Sequence, residues 1–362
     1  MSCVTPEQLH TLVESAIQAP SADNKHPVRF QLGDQCIEIY HVRNDWSEHG
    51  YKRVLDLLSL GALVENLAIA ASRFGAGIKT TLLPEPGQPN LVLRVNLLID
   101  KIQTDPLWKI IPLRHTNRAV WFHGPRLSPD ERLLLEAAVS NRSDGQLHWL
   151  DQPSERRPAI ALMRRAETER FHNQQLHEEL FSAIRFKVGW HTTCEEGLPP
   201  GALGVGPPLH GLFALLRHWS VMRQANRIGI HHVLGWRSCD LPCRLAPHLG
   251  LLTVKNLDTT SVFEVGRAFQ RLWLTATSQG YAIQPMPASA LYALEPAVDE
   301  AVPAKLSYIL KTGWQARVGA NRPLMLFRMG RAKPVRITAK RPSPESFIGG
   351  LISPEESVSP HL

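Results

Sequence analysis

Two guanidiniums lie four residues apart in Arg114-His115-Thr116-Asn117-Arg118, with a hydroxyl and an amide between them. A basic pair, Lys340-Arg341, follows near the end of the chain, and Arg328 precedes Gly330 by two residues. Near the start, Pro20-Ser21-Ala22-Asp23-Asn24 joins another hydroxyl and amide to a turn-forming proline. Arg and Lys bind phosphate through charge-assisted hydrogen bonds, and Arg does so with a planar fork. These residue types therefore suit a compact anion together with the polar edge of a small molecule. Plainer readings stay open for each: a solvated basic face for Arg114 and Arg118, a helix stop for Pro20-Ser21, and surface charge ahead of a Pro/Ser-rich tail for Lys340 and Arg341.

The formal charge of +7 invites a nucleic-acid reading, so its distribution matters more than its sum. Residues 301–344 hold ten Lys or Arg and no Asp or Glu, which leaves the rest of the chain at −3. A local excess of this kind suits a small anion at least as well as a polynucleotide. The arginines also sit in strand-like text, PLMLFRMG and KPVRITAKR, without interleaved stacking aromatics. No nucleic-acid partner is expected.

Other constellations are weaker. His231, His232, Cys239, Cys243 and His248 have the residue types for zinc at spacings that fit no closed site, so no metal is expected. Cys239 and Cys243 are separated by three residues rather than two, against a thioredoxin-like motif. The five cysteines are too few and too unevenly paired for a disulfide scaffold and read as free thiols. Glycines 204, 206 and 211 lack the spacing and preceding strand of a dinucleotide fingerprint, and no G-x-S-x-G occurs.

The elements that must position the cations show an internal pattern. At 362 residues, with 43% hydrophobic and 20% charged residues, the chain is long enough for about two globular units. GALVENLAIAASRFGAGI, from Gly61, and GRAFQRLWLTATSQGYAI, from Gly266, share glycines and apolar positions at a constant offset of 205. Both are nearly apolar all round, as expected of a helix packed inside. Thr5-Pro6-Glu7-Gln8 and Ser128-Pro129-Asp130-Glu131 each read as a hydroxyl cap, a first-turn proline and a capping-box partner. They open helices ending near Gln18 and Ser140, followed by the strand-like VRFQL and GQLHWL. Each half thus reads helix, strand, long buried helix, strand. The expected division is 1–108 and 109–362, the second half carrying a lid insertion at about 151–255.

That insertion includes the uncharged stretch Gly197 to Leu216, whose four prolines and five glycines would break a lipid-facing helix. It reads as a lid or linker, no segment reads as a membrane span, and no membrane partner is expected. The start of the chain lacks the basic and apolar regions of a secretory signal, so a cytoplasmic location is expected.

Together, three segments resemble the FMN-dependent nitroreductase family. Ala19-Pro20-Ser21-Ala22-Asp23-Asn24-Lys25-His26-Pro27-Val28-Arg29-Phe30 is similar to its A-P-S-x-x-N-x-Q-P-W-x-F loop, with His26 for Gln and Val28 for Trp. Arg114 to Arg118 is similar to its R-R/H-S/T-x-R/K start, and Arg328-Met329-Gly330 with Lys340-Arg341 to its terminal strand and basic pair. The loop here precedes the arginine segment, whereas in the family it follows. In that family two subunits build each flavin site, so a fused pair needs one intact copy of each part. The order resembles the double-length subgroup that includes the mycobacterial Acg-type proteins.

The resemblance implies an α+β fold of two tandem units, each a mixed sheet wrapped by helices, with one FMN site at their junction. It implies cofactor binding by Pro20, Ser21, Asn24, Arg114, His115, Thr116, Asn117, Arg118, Arg328, Gly330, Lys340 and Arg341, and no side-chain catalyst. Arg114 with Lys340 and Arg341 would take the phosphate, and Arg118 the ring's pyrimidine edge. The implied activity is hydride transfer from NADH or NADPH to flavin N5, then to a nitro, quinone or related small-molecule acceptor. The chain would act as a monomeric pseudo-dimer or a homodimer. A flavin-free or flavin-sequestering regulatory protein on the same fold is the alternative.

Overall fold

A computed structural model describes residues 4–42 and 49–349. Both expected capping boxes form. Thr5 Oγ1 accepts from the Gln8 amide at 3.3 Å while Gln8 Oε1 accepts from the Thr5 amide at 3.0 Å. Ser128 and Glu131 repeat the exchange at 3.2 and 2.8 Å. These caps start α1 (Pro6–Ile17) and α3 (Pro129–Ser140).

The first unit continues through β1 (Val28–Gly33), β2 (Cys36–His41), α2 (Tyr51–Ser72), β3 (Ala76–Leu82) and β4 (Leu91–Ile99), with strand order β1-β2-β4-β3. In the second unit, α3 is followed by β5 (Gln146–Trp149), β6 (His248–Val254), α10 (Thr259–Ser278), β7 (Ala282–Pro285) and β8 (Arg322–Gly330), in the order β5-β6-β8-β7. The architecture is therefore α+β, and the two sheets share one order. All six strand pairings are antiparallel. The mixed character expected of each sheet is confined to isolated parallel bridges, Phe30 with Ile348 and Thr116 with Ile283.

Several sequence expectations need correction. The stretch read as an insertion ends earlier than residue 255, because β6 is a fully buried strand between β5 and β8. Its uninterrupted run HLGLLTV shows no alternation, since both faces of the strand are covered. The inserted segment consists of α4 (Pro153–His172), α5 (Gln174–Ser182), α6 (His210–Leu216), α7 (Trp219–Asn226), α8 (Ile230–Gly235) and α9 (Leu241–Leu245), with a π-turn at Trp236–Asp240. α11 (Ala288–Leu291) and α12 (Ala304–Val318) fill the β7–β8 connection. Only the PLMLFRMG half of the basic strand text is a strand; residues 332–340 form none. α2 is also long and apolar enough to cross a membrane, contrary to the expectation that no segment is, yet most of it is buried against the protein.

The two long helices meet at the glycines that first suggested the repeat. A Cβ on Gly61 would lie 2.1 Å from the Phe263 carbonyl oxygen, and one on Gly266 would lie 2.4 Å from that of Leu58. Glycine is required at both positions because backbone approaches backbone there. Leu67 and Leu272 are wholly buried on either side of the crossing. Beyond β8 the chain crosses to the other unit: the Phe30 amide donates to the Phe347 carbonyl at 2.8 Å, and buried Phe347 joins the first unit's core. This crossing carries Lys340 and Arg341 past the end of α1.

Candidate anion and cofactor site

The site forms where α1 ends. Helices leave their last carbonyls without intrahelical donors, and here two arginines from distant parts of the chain supply them. Arg114 Nη2 donates to the Gln18 carbonyl at 3.0 Å. Arg341 donates from Nε to the Ile17 carbonyl at 2.7 Å and from Nη2 to the Ala19 carbonyl at 3.1 Å. Its Nη1 also donates to Asn24 Oδ1. Cations at a helix C-terminus complement the helix dipole.

The loop beyond is conformationally strained. Asp23, Asn24 and His26 have φ of 53°, 58° and 44°, in the left-handed region that favours glycine. Hydrogen bonds hold it there. Ser21 Oγ accepts from the His26 amide at 3.2 Å, and the His26 ring and Asn24 Oδ1 are 3.2 Å apart. Asn24 Nδ2 donates to the carbonyls of Glu195 at 3.0 Å and Lys340 at 3.3 Å. Pro20 and Ser21 line a recess with His26 and Leu60 that encloses only about 20 Å³.

The electrostatics are unusual. Arg114 is buried, its guanidinium packs 4.4 Å from the Trp273 ring centroid, and its Nε has no hydrogen-bond partner. Burial and then Arg341 push its pKa down to about 9. Burial alone lowers Arg341 to about 10. Neither arginine forms an ion pair among the described residues. His26 is held well below the usual histidine range by burial, then by Arg341 and Arg114. His115 keeps solvent contact and is also pushed down, first by desolvation and then by Arg114 and Arg341. Two desolvated cations thus act on the same His26 ring, and neither is in an ion pair among the described residues.

Arg118 stands on the other side of the loop, beside Asp23. Desolvation lowers its pKa to about 10, against the pull of Asp23. Its guanidinium makes no hydrogen bond among the described residues. Gly204 of the inserted segment packs against this residue's backbone, since a Cβ there would lie 2.4 Å from the Arg118 carbonyl oxygen. Arg237 fixes that glycine by donating to its carbonyl at 3.1 Å, and the Gly197 amide donates to the Asn24 carbonyl at 3.2 Å. The inserted segment therefore touches both the loop and the arginine segment.

Other sequence candidates serve the scaffold. The Asn117 amide donates to Ile283, its Nδ2 donates to the Lys333 carbonyl at 2.9 Å and its Oδ1 accepts from Ala119, so this side chain is spent on a turn. Thr116 forms the bridge to Ile283. Arg328, expected at the cofactor, is wholly buried; Nε donates to Gln284 Oε1 at 2.8 Å, and Nη1 and Nη2 donate to the Val120 and Ala119 carbonyls. It braces the segment behind Arg118 rather than presenting a free guanidinium. Gly330 leaves room for the Pro247 ring, 2.6 Å from where a Cβ would stand. Lys340 is exposed and holds the site through its backbone, donating to Cys194 and accepting from Asn24.

Sequence reasoning missed Trp273, Asp23 and the α1 carbonyls as parts of this site. The only local hint was the length of the A-P-S-A-D-N turn, which leaves the helix without a glycine to end it.

No family model matches the sequence, and a comparison with curated proteins finds no match. Among solved structures, the FMN-dependent nitroreductase NfnB from Mycobacterium smegmatis, in complex with NADPH, is similar over 69% of this chain and 96% of its own, at 17% identity and a TM-score of 0.33. A BluB-like flavoprotein from Clostridium difficile 630 is similar over 69% and 100%, at 13% identity and a TM-score of 0.38. Iodotyrosine deiodinase bound to FMN and 3-iodo-L-tyrosine gives 70% and 100%, at 13% identity and 0.36. Similarity at this level fixes neither a family nor an activity for this chain.

Proposed function

We propose that this chain is an FMN-dependent oxidoreductase of the nitroreductase type, using NADH or NADPH and a small-molecule acceptor. One observation carries the reading: Arg114 and Arg341 meet at the end of α1 without a carboxylate, and Arg114 Nε is buried and unpartnered. An uncompensated buried charge is costly, and a phosphate monoester would relieve it through charge-assisted hydrogen bonds. The donor set therefore fits the phosphate end of FMN. Bound FMN would supply the two-electron chemistry. The chain's own part is to anchor and tune. Arg114 and Arg341 hold the anion, Arg118 offers an unshared cation for the pyrimidine edge, and the lid excludes water. One site per chain follows, because the corresponding turn after α3 lacks the Pro-Ser pair.

A second reading, a flavin-free or flavin-sequestering regulatory protein, is favoured by a separate observation. The lid closes on Asn24 through Glu195 and Gly197, and the recess beside Pro20 is too small for a tricyclic ring. Purification of the full chain separates the two. A yellow protein with about one FMN per chain, bleached by NADH or NADPH, supports the enzyme. A colourless chain that takes up no FMN on reconstitution supports the alternative.

A further inference from the structure

The inserted helices α6, α7 and α8 carry apolar residues on their exposed faces as well as on their inner ones. Their inner faces pack Leu216, Met222, Trp219 and Leu234 against Phe171 and Phe181. A surface helix ordinarily shows polar residues on the other face. Here Leu212, Leu215 and Val233 are 54%, 57% and 56% exposed, Ile228 is 81% exposed, and Trp236 is exposed just beyond α8. Elsewhere among the described residues the large exposed apolar side chains are scattered more thinly.

Charge selects the partner. Residues 197–239 contain no Asp or Glu. Arg217, Arg223 and Arg227 are exposed among the apolar residues, and none is in an ion pair among the described residues. Short helices with aliphatic and Trp side chains beside arginines, and no acid, have the composition of a segment lying in the headgroup region of an anionic bilayer. With 7, 8 and 6 residues they are far too short to span one. Surface docking departs from the expectation of no membrane partner, which rested on the lack of a spanning segment.

We infer that α6–α8 dock the protein on an anionic lipid surface, with Leu212, Leu215, Ile228 and Trp236 entering the interface and Arg217, Arg223 and Arg227 facing lipid phosphates. The inference does not depend on the cofactor. Docking would bring residues 197–209, which lead directly into α6, to the bilayer.

The test is co-sedimentation of the full chain with vesicles of phosphatidylcholine alone or with phosphatidylglycerol added. Binding should require the anionic lipid and weaken with salt. Arg223→Glu and Arg227→Glu should each lower partitioning by about fivefold or more, from about 1 kcal/mol per basic residue. Ile228→Glu and Leu212→Glu should lower it as well, with unchanged thermal unfolding. Equal or absent binding to both vesicle types would overturn the inference. So would a self-associated species in sedimentation velocity that Ile228→Glu dissolves, since the face would then belong to a second copy.

Discussion

Two recesses in this molecule are built from corresponding parts and completed in opposite ways. The first, where α1 ends, is lined by Asp56 and Ser59 of α2. The offset of 205 carries those positions to Ser261 and Glu264 of α10, which line a groove beside residues 140–144, where α3 ends. At the second place the arginines are matched by acids. Glu65, wholly buried, lies 3.4 Å from Arg142, 3.2 Å from Arg267 and 2.5 Å from Arg271. Glu264 takes Arg267 at 3.3 Å and Asp105 takes Arg271 at 2.8 Å. Arg114 and Arg341 do not line the first recess but meet beside it, at the end of α1, where they donate only to carbonyl and amide oxygens. Similar scaffolding thus yields a closed ion network on one side and an unfinished one on the other. Under the proposed function, the unfinished network is where an outside anion would bind.

The largest expected effect tests the completed side. Glu65→Ala removes the buried carboxylate that three guanidiniums share, leaving Arg142 without an ion pair among the described residues and Arg267 and Arg271 with one acid each, and should cost about 3–5 kcal/mol of stability, read from urea unfolding. If the loss were instead near zero, the network would not be closed in the sense argued.

On the unfinished side, Arg114→Ala should weaken FMN retention by about 1.5–3 kcal/mol, measured by flavin fluorescence titration. Inorganic phosphate should raise the melting temperature of the cofactor-free wild type and not of this variant. Unchanged flavin affinity would remove Arg114 from the site.

Gly266→Ala and Gly61→Ala probe the crossing that both recesses share. Each forces a methyl onto a carbonyl oxygen and should cost about 1–3 kcal/mol or more by overpacking. Similar losses for the two would show that the units bear on the crossing equally; a large asymmetry in thermal unfolding would break the comparison.

The smallest effect is in the pH dependence. His26 has a folded-state pKa well below its ordinary 6.5, so below that pH the unfolded chain binds a proton that the folded chain refuses. Stability should therefore fall as pH drops from about 6.5. His26→Gln should flatten this slope, and bound phosphate should lessen it by offsetting Arg114 and Arg341. A slope that persists in the variant would assign it to another group.

Legibility in the sequence differed by kind of feature. The capping boxes at Thr5 and Ser128 and the ends of α1 and α3 were readable because a cap depends on residues within one helical turn. The glycine pair was readable because the offset preserved it. β6 escaped notice because a strand buried on both faces has no alternating pattern, and it was absorbed into the insertion. Residues 332–340 misled in the other direction, since their β-branched and basic residues suit a strand that no neighbour is placed to pair with. Among the site residues, Ser21, Asn24, Arg114 and Arg341 could be nominated by type. Arg328 was nominated on the same grounds and turned out to brace the backbone behind Arg118.

By itself the sequence determined where α1 and α3 begin, which glycines recur at a fixed offset and which cations exist, because a cap depends on hydrogen bonding within one turn and the rest is composition and spacing. Only the tertiary structure decided which of those cations are answered by acids. That depends on which residues, more than two hundred positions apart, are delivered to the same helix end by a terminal segment crossing from one sheet to the other. Charge compensation at close range is a property of that delivery, and composition carries no record of it.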